Sequence, residues 1–423
     1  MLHAIHSVFP PPASGLPDDD PISFKKLIAG DGVWAVRKEI LGWIFNGILR
    51  TMELLPKKIG RTMASLDTAI AHKRLPLKDF RTLLGKLQHA STAMPAGKCI
   101  LTPLYEFVES QKDRRVLYFS KEPIVLEALR DIRILLREST SRPTHVRELV
   151  PDLPAYIGFC DACKRGAGGV WISGSKNIRP AVWRVEWPAD IQARLVSWSN
   201  PQGDLTINDL EMAGLLLQHL VLEQLVPLKH EHVAAWCDNT STVSWARRMT
   251  SSKSRIGHRL VRALMMRINV NEASPLVTVS IQGIRNAMAD VASRSFGPGN
   301  KNSSTTFDTP NLAFLQSFNA EFPLEQNASW QLFRLSSKLS SLVFSELRTQ
   351  QQSMDSWRRL TKKGNVIGVP GPNAANTVTW TPSSEILAQK PPSTPCRPLL
   401  SSSDVEASAE GGKLALKLFK SRY

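Results

Sequence analysis

The sequence predicts a mixed α/β fold: a five-stranded sheet with flanking helices, preceded by a mostly helical segment. Three observations carry this expectation. Between Pro151 and Phe296, short apolar runs of strand length alternate with longer runs of helical spacing. Two of those strands, "AYIGFCDAC" and "HVAAWCD", finish on a carboxylate. Upstream, apolar residues recur three and four positions apart, as one face of a helix requires.

Taken in order, residues 1–23 are rich in Pro and Asp and read as a loop. Residues 24–150 form the first zone. There "KEILGWIFNGILRTMELLPKK" looks like a strand hairpin, and "PLKDFRTLLGKLQHA" places Phe80, Leu83, Leu84 and Leu87 at helical spacing. "PIVLEALRDIRILLRES" does the same with Leu126, Leu129, Ile132 and Leu136. In residues 151–296, "AYIGFCDAC", "GAGGVWIS" and "PAVWRVEWP" read as three strands. "LTINDLEMAGLLLQHLVLEQLV" is a long helix, with Thr206 as N-cap and Asp209 three residues on as an approximate capping box. "HVAAWCD" is a fourth strand, followed by helices in "NTSTVSWARRM" and "SRIGHRLVRALMMRI". "PLVTVSIQ" is a fifth strand and "NAMADVASR" a short closing helix that Asn286 can cap. Beyond it, 297–312 reads as a linker, 313–363 as helical, and 364–423 as disordered by its Pro, Ser, Thr and Asn content.

A chain of 423 residues implies two or three domains, and 42% hydrophobic residues suffice for a real core. The net charge of +16 favours a polyanionic partner, nucleic acid before membrane. Five cysteines in this length are no disulfide framework. Cys160 and Cys163 have CxxC spacing but no second pair, and read as reduced thiols rather than zinc ligands. Neither a signal peptide nor a run of 18 apolar residues occurs. The expected location is intracellular, cytoplasmic or nuclear.

Four carboxylates stand where carboxylates are costly. Asp161 ends the first strand on the side of Ile157 and Phe159, and Asp238 ends the fourth on the side of Ala234 and Trp236. Adjacent strand ends converge at one edge of such sheets, where two acids repel unless a cation lies between them. Glu211 is the only formal charge between Asp209 and Glu223 in an otherwise apolar helix. Asp290 lies in the first turns of the closing helix, whose N-terminus favours its ionised form. Singly, a strand-end Asp is more often a cap, and Glu211 could pair with an arginine. Together they form a hard oxygen donor set suited to Mg²⁺ or Mn²⁺.

Residues 151–296 resemble the ribonuclease H domain of reverse transcriptases. "GFCDACKRGAGGVW" resembles that family's first strand with its catalytic Asp, "NDLEMAGLLL" the helix with its Glu, "WCDNTSTVSW" the third acid, and "NAMADVASR" the helix with the fourth. The resemblance implies Asp161, Glu211, Asp238 and Asp290 as catalytic and metal-binding residues, two Mg²⁺ ions, and cleavage of the RNA strand of an RNA–DNA hybrid. Upstream, "KEILGWIFNGILRTMELLPKK" resembles the primer-grip hairpin after a polymerase palm. "FRTLLGKLQHASTAMPAGKCILTPLYE" resembles the thumb or connection segment of DIRS-type retrotransposon polyproteins. No YxDD occurs, so DNA synthesis is not expected. Many relatives carry a histidine near the fifth strand, where this chain has "VSIQGIRN" with Ser280 nearest in position.

Between Asp238 and Glu272 the chain has no acid but carries Arg247, Arg248, Lys253, Arg255, Arg259, Arg262 and Arg267. Arg255, Arg259 and Arg262 share one helix face and suit phosphate contacts, the alternative being a solvated basic face. Two rival readings stand beside the nuclease: an inactive, nucleic-acid-binding remnant of a retroelement, and a DDE-type transposase. The closing NxxAD helix and the absence of an HHCC zinc module speak against the second.

Overall fold

The computed structural model of the chain describes residues 30, 33, 35–94, 97–150, 152–251, 254–296, 309–324, 328–348, 350 and 365–367. The expected loop at 1–23, most of the expected linker and nearly all of the expected tail lie outside the described residues.

The first zone opens as a three-stranded meander rather than a single hairpin: β1 (Arg37–Ile40), β2 (Trp43–Asn46) and β3 (Thr51–Leu54). Leu41 and Gly42, both at positive φ, close the first turn, as a tight two-residue hairpin demands. Asn46 closes the second by accepting from Ile48 and Leu49 N–H. The chain continues through α1 (Pro56–His72), β4 (Arg74–Pro76), α2 (Leu77–Ser91), α3 (Gly97–Ser110), β5 (Val116–Tyr118), α4 (Pro123–Ser141) and β6 (Thr144–His145). β6 pairs antiparallel with β3 and returns the chain to the first sheet. The residues expected to face inward on α2 and α4 are all buried, and Phe80, Phe107 and Phe119 pack edge-on at centroid separations of 5.7–6.3 Å.

The second zone holds β7 (Tyr156–Ala162), β8 (Gly166–Ser173), β9 (Ala181–Glu186), α5 (Ala189–Ala193), α6 (Ile207–Leu225), β10 (Val233–Cys237), α7 (Thr240–Arg248), α8 (Arg255–Val270), β11 (Val277–Ser280) and α9 (Ala287–Arg294). After it come α10 (Thr309–Glu321), β12 (Gln331–Arg334), α11 (Ser337–Leu347) and β13 (Asn365–Ile367). The sheet order is β11-β10-β7-β8-β9-β12-β13. β8 runs antiparallel to both its neighbours, β10 pairs in parallel with β7 and β11, and β12 pairs in parallel with β9 but antiparallel with β13.

The five expected strands are therefore present, but the sheet has seven. β12 interrupts the stretch expected to be wholly helical, and β13 lies within the stretch expected to be disordered. Residues 330–333 are all buried, and a short two-sided apolar run of this kind does not reveal its own period. One face of the sheet packs Ile157, Phe159, Val170 and Val182 against α9 and α10. The other packs Trp171 and Trp183 against α6, α8 and α11. The result is a mixed α/β sheet covered on both faces. No described helix is long and apolar enough to cross a membrane.

Candidate active site

Four elements deliver carboxylates to one edge of the sheet. Asp161 sits near the end of β7 and is buried. β10 pairs in parallel with β7, Trp236 opposite Phe159, so the chain carries Asp238 past Cys237 to the level of Asp161. Glu211 lies in the second turn of α6, also buried. The expected capping box fixes the start of that helix: Thr206 Oγ accepts from Asp209 N–H at 3.3 Å, and Asp209 accepts from Thr206 N–H at 3.0 Å. Asp290, on α9, is partly exposed.

The charges sense one another. Burial first, then the charges of Asp238 and Asp290, push the Asp161 carboxyl up to about 6, against the opposing effects of the Ser293 hydroxyl and Arg294. Glu211 is held well above its usual range by burial and then by Cys237, Asp161 and Asp238. Asp238 is raised by burial and by Asp290. Carboxylate oxygens of Glu211 and Asp238 lie with Cys237 Sγ inside 4.8 Å of one another. The Cys237 thiol stays protonated, pushed up by its hydrogen bond with Cys160 and by burial, and lies 3.8 Å from Glu211 Oε2 as a weak donor. The four carboxylates at this edge are hard oxygen donors of the kind that suit Mg²⁺ or Mn²⁺.

Several contributors were not anticipated. Ser293 Oγ is 2.5 Å from Asp161 Oδ2, so α9 orients the β7 carboxylate as well as carrying Asp290. Arg294 pairs with Asp290 at 2.6 Å, one helical turn on. Both belong to the quoted "NAMADVASR", at offsets of three and four from Asp290, which is the signal that could have found them. Asn239 Nδ2 donates to Asn208 Oδ1 at 2.8 Å, tying the residue after Asp238 to the start of α6. Gly283, in the turn after β11, backs onto Asp238: a Cβ there would stand 3.1 Å from Oδ2. Asn286 does not cap α9 with its side chain. It donates to Cys160 O at 3.0 Å instead, anchoring that helix to β7.

The basic residues divide. Arg248 and Arg255 are exposed, and Lys253 lies outside the described residues. Arg247 spends its guanidinium on Thr278 O at 2.9 and 2.6 Å. Along the face shared by Arg255, Arg259 and Arg262, expected to contact phosphates, exposure falls from exposed Arg255 to buried Arg262. This face lines a cavity of about 490 Å³ that is also lined by Glu106 of α3, Glu122 just before α4, and Glu127 and Asp131 of α4. Arg262 is buried against Asp131, Arg259 pairs with buried Glu346 at 3.1 Å, and Arg267 pairs with buried Glu223 at 2.9 Å. Arg259 and Arg262, expected to meet phosphates, thus have carboxylate partners within the protein, as does Arg267.

No family model matches the sequence, and no curated protein matches it. Solved structures similar to the chain include two of a foamy viral protease-reverse transcriptase in complex with double-stranded DNA. Both are 11% identical with a TM-score of 0.24, covering 58% and 59% of this chain and 38% and 45% of theirs. A third, the foamy viral protease-reverse transcriptase in complex with an RNA/DNA hybrid, is 11% identical with a TM-score of 0.21, covering 64% of this chain and 31% of its own. The chain spans less than half the length of these proteins, and the likeness is a loose one.

Proposed function

We propose that residues 151–296 hydrolyse the RNA strand of RNA–DNA hybrids as a metal-dependent, ribonuclease H-type endonuclease, and that the chain derives from the reverse transcriptase region of a DIRS-type retroelement. One observation carries this reading: Asp161, Glu211, Asp238 and Asp290 gather at one sheet edge, three of them with raised carboxyls. A fold does not retain such repulsion for stability, since apolar residues would pack there at lower cost. These four residues would hold two Mg²⁺ ions, with Mn²⁺ an acceptable substitute. Bound there, the ions supply Lewis acidity and lower the pKa of coordinated water. The protein's part is positional. Ser293 holds the Asp161 carboxylate, Arg294 tethers Asp290, and the Asn208–Asn239 bond fixes α6 against the Asp238 turn. Arg248 and Arg255, both exposed, would meet phosphates.

A second reading, an inactive nucleic-acid-binding remnant, draws on one feature: the Arg294 guanidinium already occupies Asp290. Incubation of a labelled RNA–DNA hybrid with Mg²⁺, with and without chelator, separates the two. The nuclease reading expects cleavage that chelator abolishes and that Asp238→Asn lowers by several orders of magnitude with hybrid binding retained. Equal rates in wild type and Asp238→Asn overturn it, and binding without any cleavage favours the remnant.

A further inference from the structure

Trp198 is fully exposed, at the tip of the segment that leads into α6. The turn beneath it is unusually well held. Ser197 N–H donates to Asn200 O at 3.1 Å and Asn200 N–H to Ser197 O at 3.0 Å. The Asn200 side chain donates to Ala193 O at 2.8 Å and Leu195 O at 3.1 Å. At the base, Arg194 grips Asp204 with two bonds of 2.8 and 2.7 Å and donates to Leu347 O at 2.8 Å. None of these bonds involves the indole, so folding of the turn gives no reason for a tryptophan. A solvated turn tip is ordinarily Gly, Asn, Asp or Ser. Val196 and Ile207 beside it are exposed as well.

The position gives the indole a use. Val196 N–H bonds to Leu205 O, two residues before Ile207, and Glu211 follows one turn later. At about 1.5 Å per helical residue and at most about 3.6 Å per extended one, Trp198 lies within roughly 25 Å of Glu211. A nucleic acid held at the four carboxylates spans that distance in about eight base pairs. Inside a paired hybrid each base face is covered by its neighbours, so away from the duplex ends a ring on a projecting turn can stack only on an unpaired base.

Resting on the nuclease reading above, we infer that Trp198 is a stacking platform for an unpaired base, so that the protein favours hybrids flanked by single strand over blunt ones. The ring supplies a flat, sequence-tolerant surface, and the pinned turn holds it without an ordering cost on binding. Base–aromatic stacking of this kind is worth roughly five- to a hundredfold in affinity.

The test measures dissociation constants in chelator for blunt hybrids and for hybrids with 5′ or 3′ single-stranded extensions. Wild type, Trp198→Ala and Trp198→Phe are compared. The expected result is a five- to hundredfold preference of wild type for one extended hybrid, lost in Trp198→Ala and largely kept in Trp198→Phe. Iodide quenching of tryptophan fluorescence should also fall when the extended hybrid, but not the blunt one, is added to wild type. Equal affinity of wild type for blunt and extended hybrids overturns the inference, as does a preference that survives in Trp198→Ala. A shift from dimer to monomer in Trp198→Ala would make a second copy the occupant, and also overturns it. Failure of wild type to bind any hybrid removes the nuclease reading itself, whereas Mg²⁺-dependent cleavage without an extension preference removes only this inference.

Discussion

Arg262 and Asp131 meet across the junction between the helical segment and the α/β body, the guanidinium Nε donating to Oδ2 at 2.7 Å with both side chains buried. An ion pair out of water holds only while both partners are present. Arg262→Ala leaves a carboxylate buried without its guanidinium, so unfolding in urea should show a loss of about 3–5 kcal/mol. Replacing both, as Arg262→Met with Asp131→Leu, should recover most of that loss. A single variant as stable as wild type would mean that the junction opens freely in solution.

The metal-free protein should lose stability as pH rises through the range where Asp161 ionises. Its carboxyl titrates near 6 when folded and near 3.8 when not. A group raised on folding keeps its proton in the native state after the unfolded chain has released it. Its contribution is therefore fully present below pH 3.8 and lost as pH climbs through 6, at about 3 kcal/mol for this group alone. Glu211 and Asp238 shift in the same direction. In chelator, Asp161→Asn should raise the thermal midpoint at pH 8 and leave it nearly unchanged at pH 4. An equal effect at both pH values would contradict the assignment.

What the sequence made legible was local. A lone Glu in an apolar helix and two strands ending on Asp are anomalies visible within a few residues, and the capping box of Thr206 and Asp209 follows from a spacing of three. What it hid was either locally ambiguous or distant. Pro103 lies inside α3 and disguised that helix, because proline ordinarily ends one. Pro56, at the first turn of α1, starts a helix at the end of a stretch whose apolar pattern is that of a hairpin. The arginines of α8 fall on one face as the period demands, but their partners Asp131 and Glu346 lie far away in sequence, on other elements. Charge patterning within a helix cannot reveal that its cations are already paired.

The salt dependence of hybrid binding should report the exposed cations alone. Arg248→Ala and Arg255→Ala should each make the slope of log K against log[salt] shallower by about 0.7–0.9 if the residue touches a phosphate. Arg262→Ala, measured where it remains folded, should leave the slope unchanged, because its guanidinium faces Asp131. Hybrid, duplex RNA and duplex DNA should weaken alike, since phosphate contacts carry no base information. A slope that falls in Arg262→Ala instead would restore that face to nucleic acid.

Gly168 tests how closely the closing helix must approach the sheet. It pairs in register with Asp161 on β7, and α9 crosses directly above it. A Cβ at 168 would stand 2.5 Å from the Ala292 carbonyl carbon and 2.6 Å from Ser293 N. Both are backbone atoms, so no side chain can swing aside to make room. Gly168→Ala must push α9 outward, carrying Ser293 away from Asp161 and Asp290 away from the shared edge. Displacement of catalytic groups by about 1 Å can cost on the order of a hundredfold in rate, while overpacking of this kind costs about 1–3 kcal/mol of stability. Hybrid cleavage should thus fall far more than the folded fraction does. Ser293→Ala, which removes the hydroxyl and leaves α9 in place, should cost less than Gly168→Ala. Gly60→Ala is the control: its site on α1 is open, so the variant should gain roughly 0.5–1 kcal/mol and cleave normally. Full activity in Gly168→Ala would mean that Asp290 does not work from the position α9 gives it.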